Sequence, residues 1–148
     1  ALRSLLLINA FGDEGIDIDR LITYDYLILN SGDIADGPES IHPPIPYRSA
    51  QILIKREIIK KGLNILLSKE LVNVKYSKDG FKYTYSELTS NFLNYLNSDY
   101  YKKLKNRVIW VVDKFRNYSD KDLEKFVNNH LDKWGGEFHN EAFIREYD

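Results

Sequence analysis

Residues 49–85 read, in order, as a long helical pattern, a short strand, a turn and a second strand. Leu71-Val72-Asn73-Val74-Lys75-Tyr76 alternates apolar with polar, Phe81-Lys82-Tyr83-Thr84-Tyr85 does the same, and Ser77-Lys78-Asp79-Gly80 supplies turn chemistry between them. That is a β-hairpin entered from a helix, the order of a winged helix, a fold that either reads DNA or holds another protein. The expected fold is mainly α with a small β-hairpin. A winged-helix domain with N-terminal helices occupies residues 1–97, and additional amphipathic helices over residues 98–148 pack on it as a C-terminal extension.

Helical periodicity and capping residues place the other elements. Residues 2–11 form a short helix pattern that stops at Gly12. Asp17 then caps a helix whose Ile18, Leu21, Ile22 and Leu29, flanked by Tyr24, Leu27 and Ile28, make a broad apolar band. Residues 31–46 hold too many glycines and prolines to be helical, and Pro43-Pro44-Ile45-Pro46 reads as an extended, polyproline-like passage. A loop of that length with no structure of its own is often functional or disordered. After the hairpin, Ser86 caps a helix carrying Leu88, Phe92, Leu93 and Leu96, and Ser98 or Asp99 caps the next. There Tyr101, Leu104, Val108, Val111, Val112 and Phe115 recur at amphipathic spacing. Ser119 with Asp122 resembles a capping box opening a last helix with Leu123, Phe126, Val127, His130, Leu131 and Trp134, which ends at Gly135-Gly136. A minimal DNA-binding winged helix does not need these later helices, which suit a dimerisation or partner surface.

Winding residues 49–68 at ~100° per residue puts Ile52, Ile59, Leu63, Leu66 and Leu67 on one side and Ile54, Ile58 and Ile65 on a second. This predicts a helix buried on two sides, with Glu57, Lys60, Lys61, Asn64 and Ser68 on a narrow exposed strip. A major-groove recognition helix needs an open polar face. Here the strip is thin, and Glu57 opposes phosphate.

The 148 residues carry a net charge of −1 and no cysteine, so there is neither a disulfide framework nor a thiolate zinc site. The longest apolar runs, residues 5–8 and 108–112, are far shorter than the ~20 residues of a membrane-spanning helix, and no secretory signal is visible. The expectation is a soluble, cytoplasmic protein. Charge is uneven: residues 1–47 carry eight acidic groups against Arg3 and Arg20, whereas residues 55–82 carry eight basic groups against Glu57, Glu70 and Asp79. Either the basic side meets nucleic acid, or two oppositely charged faces attract each other or a partner. Lys60, Lys61, Lys75, Lys78 and Lys82 are the candidates for contact with a DNA backbone.

No catalytic constellation emerges. His42, His130 and His139 are not in metal-binding spacing, and His130 lies on an apolar stripe where a packed histidine is the simpler explanation. There is no phosphate loop, dinucleotide fingerprint or nucleophile elbow, and Asp17 and Asp19 suit a helix N-terminus. No enzyme, cofactor or metal is expected. Eleven tyrosines, among them Tyr76, Tyr83, Tyr85, Tyr95, Tyr100 and Tyr101, suit base stacking or interface anchoring. They are equally explained as half-buried rings in a chain rich in Lys, Asn, Ile and Tyr.

The series Leu5-Leu6-Leu7-Ile8-Asn9-Ala10-Phe11-Gly12, Asp25-Tyr26-Leu27, Ser31-Gly32-Asp33 and His42-Pro43-Pro44-Ile45-Pro46-x-Arg48, leading into a long helix, resembles the middle component of bacterial ABC-three-component conflict systems. Within these it looks most like the small accessory subunit of Lamassu-type anti-phage and anti-plasmid defence. The likeness covers residues 2–96, and Asn9 stands where the family pattern has Asp. It implies a non-catalytic adaptor that joins an SMC-like ABC ATPase, which senses aberrant DNA, to an effector nuclease. Double-stranded DNA would then be met through the complex, and no membrane is involved. Ile41, His42, Pro43, Pro44, Ile45, Pro46 and Arg48 are the candidate partner-binding residues, because a polyproline-like segment loses little entropy on docking and Arg48 can fork onto a carboxylate. A free-standing winged-helix transcription regulator is the alternative, and a clamp subunit of another SMC complex a third reading.

Overall fold

The structure, a computed structural model, describes residues 1–33, 49–78 and 80–129. Its elements are α1 (Leu2–Phe11), a 3₁₀ turn (Gly12–Glu14), α2 (Ile18–Leu29), a second 3₁₀ turn (Ser31–Asp33), α3 (Ser49–Ser68), β1 (Val72–Ser77), β2 (Gly80–Tyr85), α4 (Glu87–Asn94), α5 (Asp99–Phe115) and α6 (Asp120–Asn129). It is mainly helical with one antiparallel hairpin. The starts of α2 and of the helices after the hairpin are fixed by the expected side chains. Asp17 accepts from Arg20 N at 2.7 Å, Ser86 from Leu88 N at 3.2 Å, and Ser98 from Tyr101 N at 3.1 Å. Ser119 and Asp122 satisfy each other's backbone N–H reciprocally.

The unbroken apolar run of α1 is explained by its position. Leu5, Leu6, Leu7 and Ile8 point in successive directions around the helix, and all four are buried because α1 packs against α2, α3, α4, α5 and β2. Tyr24, Tyr26, Leu27 and Ile28 of α2 extend that core, and the stripe Tyr101, Leu104, Val108, Val111, Val112 and Phe115 of α5 closes it as the periodicity predicts. Phe115 then meets Tyr118 and Phe126, each with ring centroids 4.9 Å away, which seats α6 through Leu123 and Val127.

The hairpin registers Val72 with Tyr85, Val74 with Tyr83 and Tyr76 with Phe81 on one face, and Asn73 with Thr84 and Lys75 with Lys82 on the other. A feature without a sequence signal lies beside it. Ile16, between α1 and α2, forms an antiparallel bridge to Tyr83, with Ile16 N–H donating to Tyr83 O at 3.1 Å and Tyr83 N–H donating to Ile16 O at 2.8 Å. Gly15 makes that approach possible. Its φ is +76°, and a Cβ there would stand 3.0 Å from Lys82 Cβ and 3.3 Å from Tyr83 O.

Two expectations are corrected, for α3 and for residues 31–33. α3 is buried on one side only: Ile59, Leu63 and Leu66 face the core, while Ile54, Ile58 and Ile65 are 58%, 58% and 50% exposed. The helix forms one layer over α1 and α2, so its second apolar side has no covering element among the described residues. Likewise α4 turns Thr89 and Leu93 inward and leaves Leu88 and Phe92 outside. Thr89 Oγ1 donates to Leu71 O at 2.6 Å, and this fixes the helix rotation against its apolar preference. Residues 31–33, expected as irregular loop, form a 3₁₀ turn that continues from α2.

Candidate functional site

The charge asymmetry resolves in part into the fold itself. Asp25, from α2, is buried; Arg3 Nε of α1 donates to its Oδ1 at 2.6 Å, and Lys55 Nζ of α3 lies 2.8 Å from its Oδ2. One carboxylate thus fastens three helices. Burial pushes this carboxyl up, but Lys55 and Arg3 together outweigh it and hold Asp25 below its ordinary value. Lys55 also stands 4.1 Å from the centre of the Tyr26 ring. Arg56 pairs with Asp19 across the same α2–α3 junction. At the hairpin, Tyr85 Oη donates to Asp13 Oδ1 at 2.7 Å and Lys75 Nζ lies 3.5 Å from Asp13 O. Acidic and basic segments therefore attract each other, Lys55 in the interior and Arg56 at the surface of the α2–α3 junction.

The five lysines assigned to a DNA backbone fall into two groups. Lys75 and Lys82 stand directly opposite each other on the hairpin, with Lys78 exposed in its turn. Lys60 and Lys61 lie on the solvent side of α3, where Lys60 Nζ is 3.7 Å from Glu57 Oε1. The candidate partner residues Ile41, His42, Pro43, Pro44, Ile45, Pro46 and Arg48, and the three histidines, lie outside the described residues. Among the described residues no group of three His, Cys, Asp or Glu side chains is placed to hold a metal ion. No helix there is long and apolar enough to cross a membrane.

What the sequence reading missed is apolar surface. Ile54, Ile58 and Ile65 follow i, i+4, i+11 spacing on the side of α3 opposite Ile59, Leu63 and Leu66. Leu88, Phe92 and Tyr95 make a second exposed row, on and just beyond α4. Tyr76 and Phe81 form a third cluster at the hairpin tip, with ring centroids 6.2 Å apart. Scattered exposed apolar residues are ordinary, but rows aligned along helices are the mark of a docking surface. The signal was present in the winding of α3, whose apolar residues separate into two opposed strips, one more than its contact layer among the described residues covers.

A family model described as "ABC-three component (ABC-3C) system Middle Component 2" matches residues 1–137. No curated protein and no solved structure matches the chain.

Proposed function

The chain belongs to the Middle Component 2 family of ABC-three component systems, and from that membership we propose that it is a non-catalytic adaptor in a defence complex of the Lamassu kind. In this reading it joins an SMC-like ABC ATPase to an effector nuclease, and duplex DNA reaches it through the ATPase. The observation that carries the adaptor role is the pair of exposed apolar rows on α3 and α4. Covering the exposed parts of Ile54, Ile58, Ile65, Leu88 and Phe92 would contribute about 1 kcal/mol each, whereas an exposed ion pair contributes ~0.2–1 kcal/mol. Apolar docking therefore supplies most of the affinity. The proline-rich residues 41–48 enter the proposal as a second contact segment.

The winged-helix reading belongs to the same proposal. It is supported by the order α1, Ile16, α2, α3, β1, β2, in which the Ile16 bridge pairs with β2 as a short first strand would. In a DNA-reading winged helix α3 would enter the major groove with polar side chains leading. Here isoleucines lead, which favours a protein partner over a free-standing transcription regulator.

Co-expression with the neighbouring components of its system tests this. Wild type is expected to elute with the ATPase as one stable assembly on a sizing column. Elution alone, in the presence of a soluble ATPase partner, would contradict the proposal.

A further inference from the structure

The β1–β2 hairpin carries two unlike faces. At its base Val72 and Tyr83 are buried; toward the tip the same face emerges into solvent as Tyr76, 82% exposed, and Phe81, 47% exposed. Phe81 is braced edge-on by Tyr83, ring centroids 5.7 Å apart at 79°, so the tip offers a supported aromatic platform. On the opposite face Lys75 and Lys82 are directly cross-strand, and Lys78 is exposed in the turn.

Neither face is fully satisfied within the fold, although Lys75 Nζ lies 3.5 Å from Asp13 O. Like charges directly opposite on a strand pair destabilise it, and a ring as exposed as Tyr76 adds little to the core. Both features suit one chemical class of ligand, a polyanion that presents bare π faces. We propose that the hairpin tip binds single-stranded DNA, an unpaired base stacking on Tyr76 and Phe81 while phosphates of the strand meet Lys75, Lys78 and Lys82. An intact duplex keeps its base faces inside the stack, out of reach of the rings; a single strand offers them. The choice of DNA as the nucleic acid rests on the proposed role in a DNA-directed defence complex, and the stacking geometry goes beyond that role.

The test is fluorescence anisotropy of the full chain with a labelled single-stranded oligothymidylate and with a blunt duplex of equal length. The single strand is expected to bind at least about tenfold tighter than the duplex, since stacking is available only to it. Tyr76→Leu with Phe81→Leu keeps apolar bulk in the hairpin but removes both π faces. This pair is expected to weaken single-strand binding about ten- to a hundredfold without altering its salt slope. Lys75→Gln with Lys82→Gln is expected to lower that slope by about 1.4. Thermal melts of both variants verify folding, and Tyr76→Trp, which retains a π face, is expected to fold and to bind the single strand as wild type does.

Equal affinity for duplex and single strand, no single-strand binding at low salt, or unchanged binding by the leucine pair would each overturn the proposal. So would a leucine pair that keeps single-strand binding but loses its protein partners, because the tip would then be a protein contact. Co-purification of wild type with its partners is a separate readout, so failure of the adaptor reading is distinguishable from failure of this one.

Discussion

Asp25 joins three helices through one carboxylate. It is buried, yet it is held ionised by Lys55 and Arg3, so removing its charge strands two cations that were positioned to meet it. Asp25→Asn is expected to destabilise the protein by about 3 kcal/mol, the lower end of the cost of breaking a buried pair, because Arg3 keeps about a third of its side chain in water. The same group sets a pH dependence. Its folded value lies below the ordinary 3.8, so its contribution is fully present above 3.8 and is lost as pH falls through the folded value. Urea melts near pH 7, 5 and 3 should show wild type losing stability mainly in the last interval, with a shallower loss in Asp25→Asn. This network was not legible in the sequence. Asp25, Arg3 and Lys55 come from three helices, and no local spacing joins them. The caps at Asp17, Ser86, Ser98 and Ser119 were legible, because each is a contact between residues two or three positions apart.

Among the elements, α3 shows where periodicity stops being informative. It distinguishes apolar strips on a helix, but it does not say how many neighbouring layers exist to cover them, and among the described residues α3 has one. For α5 the same reasoning succeeded because its polar face left a single apolar stripe to bury. The end of α3 offers a test of local strain. Glu70 has φ +60°, with Leu71 N–H donating to Leu66 O at 2.9 Å and Glu70 N–H donating to Leu67 O at 3.0 Å, a left-handed helix stop built without glycine. Glu70→Gly should relieve that strain and raise stability by roughly 0.5–1 kcal/mol in chemical denaturation. At Gly15 the reverse holds. Gly15→Ala meets both a positive φ and the backbone of β2, and is expected to cost about 1–3 kcal/mol and loosen the Ile16 bridge. Protection of the Tyr83 amide in hydrogen exchange reads that bridge directly.

At the scale of the whole molecule, α1 and α2 form the centre, with α3, the hairpin and α4, and α5 with α6 around them, and apolar rows remain on the outside of α3 and α4. A chain with this distribution gains apolar burial by association, which agrees with its place as one component of a three-component system. The central claim is that these rows are covered by a partner, and the paired substitution Ile58→Asp with Phe92→Asp tests it most directly. Ile58 is 58% and Phe92 41% exposed, so the variant is expected to melt within a few degrees of wild type. On co-expression with the other components of its system it should fail to co-elute with them. A variant that assembles as wild type does, with the same melting temperature, would contradict the account.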